Sequence, residues 1–339
     1  MAGIYMICFI VFPIAVFANA SKVLCSKNEF LNRQDANVVK GIATCFVMLA
    51  HLTIYLENIG GGCDYILKIF TVMGGMGVLL FFFLSGYGLY KGYEKKRIGM
   101  EFWKKRIFYM YFPCVVIQFI FYLIQAVKNQ KFVMNELVFY SLFSAWFIDV
   151  ILIQYFIFFI TGIFAREKRK MWVTLNFFLS LFIAITFWKS GFNARWYNGL
   201  MLFSFGMLIA YTEEKLITLI TKNWNVYFAI SLVSFGISGM VFTTYKSSFT
   251  GINVVKTFSG MCLSMITCFV FLRMKLKSRV MRFIGKRSLF FYIIHVNLLA
   301  VIGNAEGTNR VFVVYSVMIL TFLFVITLDR LKFGKLLGK

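Results

Sequence analysis

The feature that most constrains this 339-residue chain is a succession of apolar segments, each about as long as a membrane-spanning helix. An α-helix rises about 1.5 Å per residue, so about 20 apolar residues cross a hydrocarbon core about 30 Å thick. Eleven segments of this kind lie at approximately residues 3–24, 36–56, 66–90, 107–127, 144–165, 171–188, 196–212, 225–243, 252–272, 288–305 and 311–328. The pattern predicts an all-α, polytopic membrane bundle of about eleven transmembrane helices, with the lipid bilayer as its surroundings.

Composition supports this prediction and excludes one alternative. The chain is 60% hydrophobic and only 14% charged, which is too apolar for an ordinary soluble domain. Its formal charge of +23 is compatible with nucleic-acid binding. However, the basic residues occur in short runs between apolar segments, where membrane topology accounts for them, so we expect no nucleic-acid partner.

The distribution of lysine and arginine predicts the orientation of the chain. If residues 22–40 are cytoplasmic and the segments alternate, 28 of the 36 basic residues lie on the cytoplasmic side. The N-terminus would then lie outside and the C-terminus in the cytoplasm of a bacterial plasma membrane. In this scheme residues 1–35 are an extra N-terminal transmembrane helix with a cytoplasmic linker, and residues 36–339 form the main domain.

The segment KGIATCFVMLAH begins with Lys40 and ends with His51. In an α-helix, eleven steps of about 100° bring His51 to within roughly 20° of Lys40 and about 16 Å further along the axis. We therefore expect a lysine at the cytoplasmic face and a histidine near the membrane centre to face the same cavity. Ionisable groups at this depth are costly and usually functional, although a histidine can also pack by bonding to another helix.

Two further ionisable residues fall inside predicted spans. His295, in SLFFYIIHVNLL, is expected about 10 Å from the cytoplasmic face and is either functional or a packing histidine. Asp149, in AWFIDVILIQY, is the one carboxylate expected well inside a span, since the other twelve acids fall in loops or at span ends. It is either a group that orients a histidine, pairs with a cation or bonds a sugar hydroxyl, or a boundary residue that reaches water.

The segment GGMGVLLFFFLSGYG (74–88) contains small residues and a hydroxyl within one span. Small residues at this spacing usually allow helices to pack closely, which composition alone favours here. The alternative is that they leave room for a long substrate, with Ser85 as a hydrogen-bond donor. The basic segments 91–106 and 273–287 likewise reflect either topology alone or attraction of a polyanionic cytoplasmic substrate.

Other chemistry has no support in the sequence. The seven cysteines form no CxxC pair or metal-ligand spacing, so we expect neither a disulfide nor a metal site. The chain has no Walker-type loop, GxSxG elbow or HExxH motif, and no GxGxxG after a strand.

Several motifs together resemble the membrane acyltransferase family 3. They are, in order, KGIATCFVMLAH, GGMGVLLFFFLSGYG, FWKKRIFYMYFP, AWFIDVILIQY, FSFGMLIA and FIGKRSLFFYIIH, and they extend over about residues 36 to 328. The resemblance implies a multi-span enzyme that moves an acyl group, most often acetyl, from cytoplasmic acyl-coenzyme A. The acceptor would be a hydroxyl of a cell-surface glycan or its lipid-linked precursor.

The resemblance also implies roles for individual residues. His51 matches the family's essential histidine and would act either as general base or as a nucleophile that forms an acyl-histidine, with Ser85 or Tyr87 stabilising the oxyanion. Lys40 stands where an arginine is usual, so a point charge replaces a bidentate fork. Arg106, with the neighbouring Lys105, would contact the donor.

Two departures from the family pattern affect these expectations. In the family, the position of Arg106 is the first of a pair of arginines. The second arginine of this pair is replaced here, and Tyr109 or Met110 stands in its place. Some members carry a fused soluble domain that completes transfer, whereas this chain ends eleven residues after its last predicted span. We therefore expect either direct acylation or a separate partner among the proteins of cell-envelope biosynthesis.

Two other functions fit a polar cavity in a membrane. A non-enzymatic polysaccharide exporter or flippase would not need a histidine at the membrane centre facing a cytoplasmic cation. A membrane polymerase of glycan repeats would be expected to carry large, arginine-rich outside loops, and the outside segments here are short.

Overall fold

The computed structural model describes residues 10–17, 19–22, 29–58, 65–143, 145–245, 254–303 and 309–331. These residues form thirteen helices and two short strands. In chain order the elements are α1 (Phe12–Phe17), β1 (Ala20–Lys22), α2 (Arg33–Asn58), α3 (Tyr65–Tyr93), α4 (Glu101–Lys128), α5 (Met134–Phe143), α6 (Trp146–Ala165), α7 (Arg169–Lys189), α8 (Leu200–Lys222), α9 (Trp224–Tyr245), α10 (Lys256–Arg273), β2 (Met274–Leu276), α11 (Arg279–Lys286), α12 (Ser288–Ile302) and α13 (Arg310–Arg330).

The all-α membrane bundle predicted from the sequence is confirmed. Each of the ten apolar segments predicted between residues 36 and 328 coincides with a helix. Eight of the described helices are long and apolar enough to cross a membrane, and the number is nine if the bent pair of α11 and α12 is counted as one span. The tenth segment is α8, which carries charged residues in its second half. On α9 large apolar side chains such as Val233, Ile237 and Met240 are exposed, as expected of a helix that faces lipid.

The predicted N-terminal span, residues 3–24, lies partly outside the described residues. Within the described part, α1 ends at Phe17 and residues 20–22 form strand β1. This strand pairs antiparallel with β2, which directly follows α10, in the register Ala20 with Leu276. The described part of the segment is therefore not a continuous helix, and its strand β1 is paired with the strand that follows α10.

Three helices, α2, α3 and α8, pack side by side at the centre of the bundle. Small residues allow this packing. At Gly86 on α3, a Cβ atom would lie only 1.9 Å from the backbone oxygen of Phe203 on α8. Similar close approaches of α3 to α2 occur at Gly74 and Gly77. Close helix packing thus accounts for most of the small residues in the segment 74–88.

The chain bends by 76° at Arg287, between α11 and α12. Arg287 is held on both sides of the bend, because its guanidinium forms an ion pair with Asp329 on α13 and lies 4.2 Å from the centre of the Phe283 ring on α11. Helix α11 packs across α2 so closely that a Cβ atom at Gly285 would lie 1.8 Å from the backbone oxygen of Asn37. The bend carries α12 along α2 towards the position of His51.

Helix α4 contains one irregular turn. Its chain is α-helical over Glu101–Arg106 and Phe112–Lys128, and residues Ile107–Tyr111 between them form a π-helical turn. A π turn inserts extra residues into a helix and changes which side chains face inwards, and such turns are frequent at functional sites. Here it lies between Arg106 and the part of α4 that packs against α12.

Candidate active site

Two adjoining cavities lie beside α2. The Lys40 chamber has a volume of about 180 Å³ and is lined by Lys40, Ser85, Met110, Tyr155 and Ser288, among others. The His51 chamber has a volume of about 170 Å³ and is lined by His51, Thr71, Trp146, Arg195, Asn198 and Lys256, among others. Val47, Val78 and Tyr292 line both, so these three side chains form the wall between the chambers.

The two histidines of the chain form a direct pair. His51 Nδ1 lies 2.8 Å from His295 Nε2, and the ring centres are 5.1 Å apart with their planes at 24°. His295 is completely buried, and its Nδ1 lies 2.6 Å from the backbone oxygen of Phe291, one turn earlier on α12. The sequence predicted both histidines inside the membrane but gave no sign of this contact.

The hydrogen bonds determine where the protons lie when both rings are neutral. A carbonyl oxygen only accepts, so His295 Nδ1 carries the proton that it donates to Phe291. The Nε2 atom of His295 is then an acceptor, and the proton between the rings belongs to His51 Nδ1. His51 Nε2 is left unprotonated, with a free lone pair. The pair therefore presents His51 as a base, oriented by the same kind of support that a second group gives to a catalytic imidazole.

Lys40 and His51 line two adjoining chambers, and not the single cavity that their spacing on one helix predicted. Val47 lies between them on α2 and belongs to the shared wall. Ser85, which the family resemblance placed near the oxyanion, lines the chamber of Lys40. Gly75 is the glycine of the segment 74–88 that faces Lys256, with the Lys256 Nζ atom 3.6 Å from the position of a Cβ.

Arg106 lies at one side of the Lys40 chamber. Its guanidinium carbon is 4.0 Å from the centre of the Phe102 ring and 5.5 Å from that of Tyr155, which lines the chamber. Both contacts are of the cation–π type and hold the charge against an aromatic wall. Lys105, its neighbour, is exposed, and Met110 lines the chamber one turn after Arg106.

Tyr87 lines neither chamber, and its hydroxyl is hydrogen-bonded to a residue of another helix. Its hydroxyl donates to a carboxylate oxygen of Glu213 on α8, and the other oxygen of Glu213 accepts from Lys91 Nζ at 2.7 Å. The backbone N–H of Phe30 also donates to Glu213, at 2.7 Å. These residues, Phe30, Tyr87, Lys91 and Glu213, are called the Glu213 cluster below.

Glu213 corrects one expectation from the sequence. The sequence placed every carboxylate except Asp149 in loops or at span ends, with the sixth main segment ending at residue 212. Helix α8 instead continues to Lys222, and Glu213 is only 2% exposed. In the sequence, the charged residues that follow Glu213 are typical of a loop. In the fold, three hydrogen bonds to its carboxylate compensate for the cost of burying it.

Asp149 is partly buried in the first turn of α6. Its Oδ2 atom is buried and has no hydrogen-bond partner within the described part of the chain. Its neighbours Ile148 and Ile151 line the Lys40 chamber. The structure therefore places Asp149 behind the wall of this chamber and does not bring it into hydrogen-bond contact with either histidine.

Residues that the sequence did not single out complete the two chambers. Tyr155 and Tyr292 contribute aromatic walls, and Arg195, Asn198 and Lys256 line the His51 chamber. One signal was available for two of them. Few basic residues fall in segments predicted to lie outside, so Arg195 and Lys256 depart from the general charge bias. Among the described residues, no cluster of three potential metal ligands is present.

The fold and these chambers define a class of protein: a multi-span membrane bundle with two adjoining, mainly apolar cavities, one of which is lined by a histidine that a second, buried histidine orients. The model of the acyltransferase domain of acyltransferase family 3 matches residues 33–330. The chain belongs to this family and is a membrane acyltransferase. No curated protein matches it, and no solved structure does.

Proposed function

We propose that this acyltransferase moves an acyl group, acetyl in the simplest case, from cytoplasmic acyl-coenzyme A to a hydroxyl of a cell-surface polysaccharide or its lipid-linked precursor. The observation that carries the proposal is the position of His51 beside the wall between the two chambers. A donor in the Lys40 chamber and an acceptor in the His51 chamber would meet where Val47, Val78 and Tyr292 line both chambers. The distribution of basic residues supports a cytoplasmic position for the end of α2 that carries Lys40.

The reaction follows from the proton positions of the histidine pair. His51 Nε2 takes the proton of the acceptor hydroxyl as its oxygen attacks the thioester carbonyl. The tetrahedral intermediate collapses, the carbon–sulfur bond breaks, and the coenzyme A thiolate leaves with the proton that His51 returns. The hydrogen bond from His51 Nδ1 to His295 holds the imidazole in the tautomer that can accept a proton at Nε2.

The Lys40 chamber would hold the acyl arm of the donor. Its walls are largely apolar, with Ser85 and Tyr155 as polar groups along the way. Lys40 and Arg106 supply positive charge for the anionic part of the donor, and Lys105 adds an exposed charge on the same helix. In this scheme Tyr87 is not a catalytic group, since Glu213 already binds its hydroxyl.

The proposal is tested with full-length protein in nanodiscs and radiolabelled acetyl-coenzyme A. We expect the donor to bind, and free coenzyme A to appear slowly by hydrolysis and faster when an acceptor is present. A wild-type protein that neither binds nor cleaves acetyl-coenzyme A would contradict the proposal. A glycan-transport assay would then test the exporter alternative.

Substituting Lys40 tests its contact with the donor. We expect Lys40→Gln to raise the KM for acetyl-coenzyme A about tenfold and to change kcat less than threefold, since one charge-assisted hydrogen bond contributes about 1.5–3 kcal/mol. Steady-state kinetics of hydrolysis measure both constants. Lys95→Gln, which removes an exposed charge between α3 and α4, is the matched control and should leave the KM unchanged. An unchanged KM for Lys40→Gln would remove this lysine from the donor site.

Substituting His295 tests its role as a positioning residue. In His295→Leu, His51 Nδ1 loses its acceptor and the ring is free to change tautomer, so we expect kcat to fall about 10–100-fold with little change in donor KM. A glutamine at this position can still accept from His51, so His295→Gln should recover part of the loss. Comparable activity of the leucine variant and the wild type would show that the pair only packs.

A further inference from the structure

The His51 chamber contains two cations and, among its lining residues, no carboxylate. We propose that it binds an anionic group of the acceptor, a phosphate or a sugar carboxylate, between Lys256 and Arg195. This inference rests on the proposed function, because it assigns the charge of the acceptor in the same reaction. It adds a substrate class that neither the family match nor the histidine pair specifies.

Lys256 is the first residue of α10 and is partly buried. Its ammonium group lies next to Gly75 on α3, with the Nζ atom 3.6 Å from the position that a Cβ atom would occupy there. The ion pairs and side-chain hydrogen bonds within the described part of the chain do not include the Lys256 ammonium. A cation enclosed largely by apolar groups loses hydration, and an anion from the ligand would restore favourable contacts.

Arg195 supplies the second charge, from a different element. It lies in the short turn between α7 and α8, and the side chain of Asn193 accepts a hydrogen bond from its backbone N–H at 3.1 Å. The Arg195 side chain is exposed, whereas Lys256 is partly buried, so positive charge leads from the surface into the chamber. The guanidinium, too, lacks an ion-pair partner among the residues that the structure describes.

The cations Lys256 and Arg195 lie in a different chamber from the one proposed for the donor. Lys40 serves one chamber and Lys256 the other, with the shared wall of Val47, Val78 and Tyr292 between them. If the thioester lies at the wall, the phosphates of the same coenzyme A molecule lie on the side of Lys40 and cannot also reach Lys256. Two cations around one cavity instead suit a single anionic group on the molecule that enters from the other side. Asn198, which also lines the His51 chamber, can bond neighbouring sugar hydroxyls.

Simple sugars of different charge test the inference on full-length protein in nanodiscs. The probes are glucose, glucuronate and glucose 6-phosphate, and binding is followed by tryptophan fluorescence, because Trp146 lines the chamber. We expect at least one anionic sugar to bind ten times more tightly than glucose, and the difference to shrink with added salt. Whether the phosphate or the carboxylate is preferred identifies the source of the charge. A Trp146→Phe variant should lose the signal.

Matched variants assign the preference to the two cations. Lys256→Gln and Arg195→Gln should each lower the affinity for the anionic sugar at least fivefold and change that for glucose less than twofold. Lys256→Arg keeps the charge and should retain most of the preference. Lys189→Gln, an exposed charge at the end of α7, should behave as wild type. Size-exclusion profiles verify that each variant is folded.

Several results would overturn the inference. Anionic sugars that bind no better than glucose, or do not bind, contradict it directly, and so does a preference that survives both glutamine substitutions. A Lys256→Gln protein that binds the anions normally but turns over as slowly as His51→Ala would instead assign the lysine to the reaction's oxyanion. Acetyl-coenzyme A hydrolysis, measured separately, distinguishes this failure from failure of the proposed function, since hydrolysis needs no anionic acceptor.

Discussion

His51→Ala is expected to reduce acyl transfer about 1000-fold while labelled acetyl-coenzyme A still binds. A general base contributes about 10²–10⁴-fold to a rate. The other unprotonated imidazole nitrogen, His295 Nε2, belongs to a completely buried ring that lines neither chamber, so we do not expect it to replace His51. Donor binding should persist because the Lys40 chamber keeps all of its lining residues. The measurements are the kcat of hydrolysis and transfer and the dissociation constant of the donor, in nanodiscs.

An asparagine at the same position provides the control for packing. Its amide N–H₂ can still donate to His295 Nε2, so His51→Asn retains the contact between α2 and α12 but has no base. We expect this variant to be as inactive as the alanine variant and closer to the wild type in thermal stability. If it kept more than a tenth of wild-type transfer, His51 would be a packing residue and the reaction would need another base.

Much of the fold could be predicted from the sequence because the relevant signals are local. An apolar segment of about 20 residues is visible without any knowledge of its neighbours, and so is the shared face of Lys40 and His51 on one helix. The helix ends were harder, as α8 shows. Its second half carries three charged residues in a row, which is typical of a loop, and only the contacts of Glu213 with other elements show that the first of them is buried.

The contacts between distant segments could not be predicted in this way. His51 and His295 are 244 residues apart, and they meet only because the chain bends by 76° at Arg287. Tyr87 illustrates the opposite case. The sequence analysis named its hydroxyl as a donor to the oxyanion, but in the fold this hydroxyl donates a hydrogen bond to Glu213 of α8.

The structure also divides the basic residues into two groups, those explained by membrane topology and those that line cavities. The bias towards one side of the membrane is a property of the whole chain and reflects insertion. Lys40, Lys256 and Arg195 are different, because they line two adjoining cavities that share Val47, Val78 and Tyr292 as a wall. In the proposed reaction Lys40 serves the donor and Lys256 with Arg195 serves the acceptor, so two anionic molecules enter separate chambers and only their reacting groups meet where Tyr292 lines both.

Glu213→Ala is expected to destabilise the protein by about 3 kcal/mol. Three donors lose their common acceptor, and two of these, the Phe30 N–H and the Tyr87 hydroxyl, are buried. A buried donor without a partner costs about 1–3 kcal/mol. Lys91 adds less, because its side chain is 34% exposed and can return to water. Unfolding by a denaturing detergent in mixed micelles measures the change, and Glu214→Gln, an exposed neighbour, should show none.

Tyr87→Phe separates this structural role from a catalytic one. The substitution removes one donor from Glu213 and keeps the ring, so we expect a loss of about 1 kcal/mol in stability and a kcat within threefold of wild type. A tyrosine that stabilised the oxyanion would instead cost about 100-fold in kcat or more when its hydroxyl is removed. If kcat falls that far with stability unchanged, Tyr87 must leave Glu213 during the reaction. If stability falls and kcat does not, the Glu213 cluster anchors the segment before α2, and the oxyanion is stabilised by other groups.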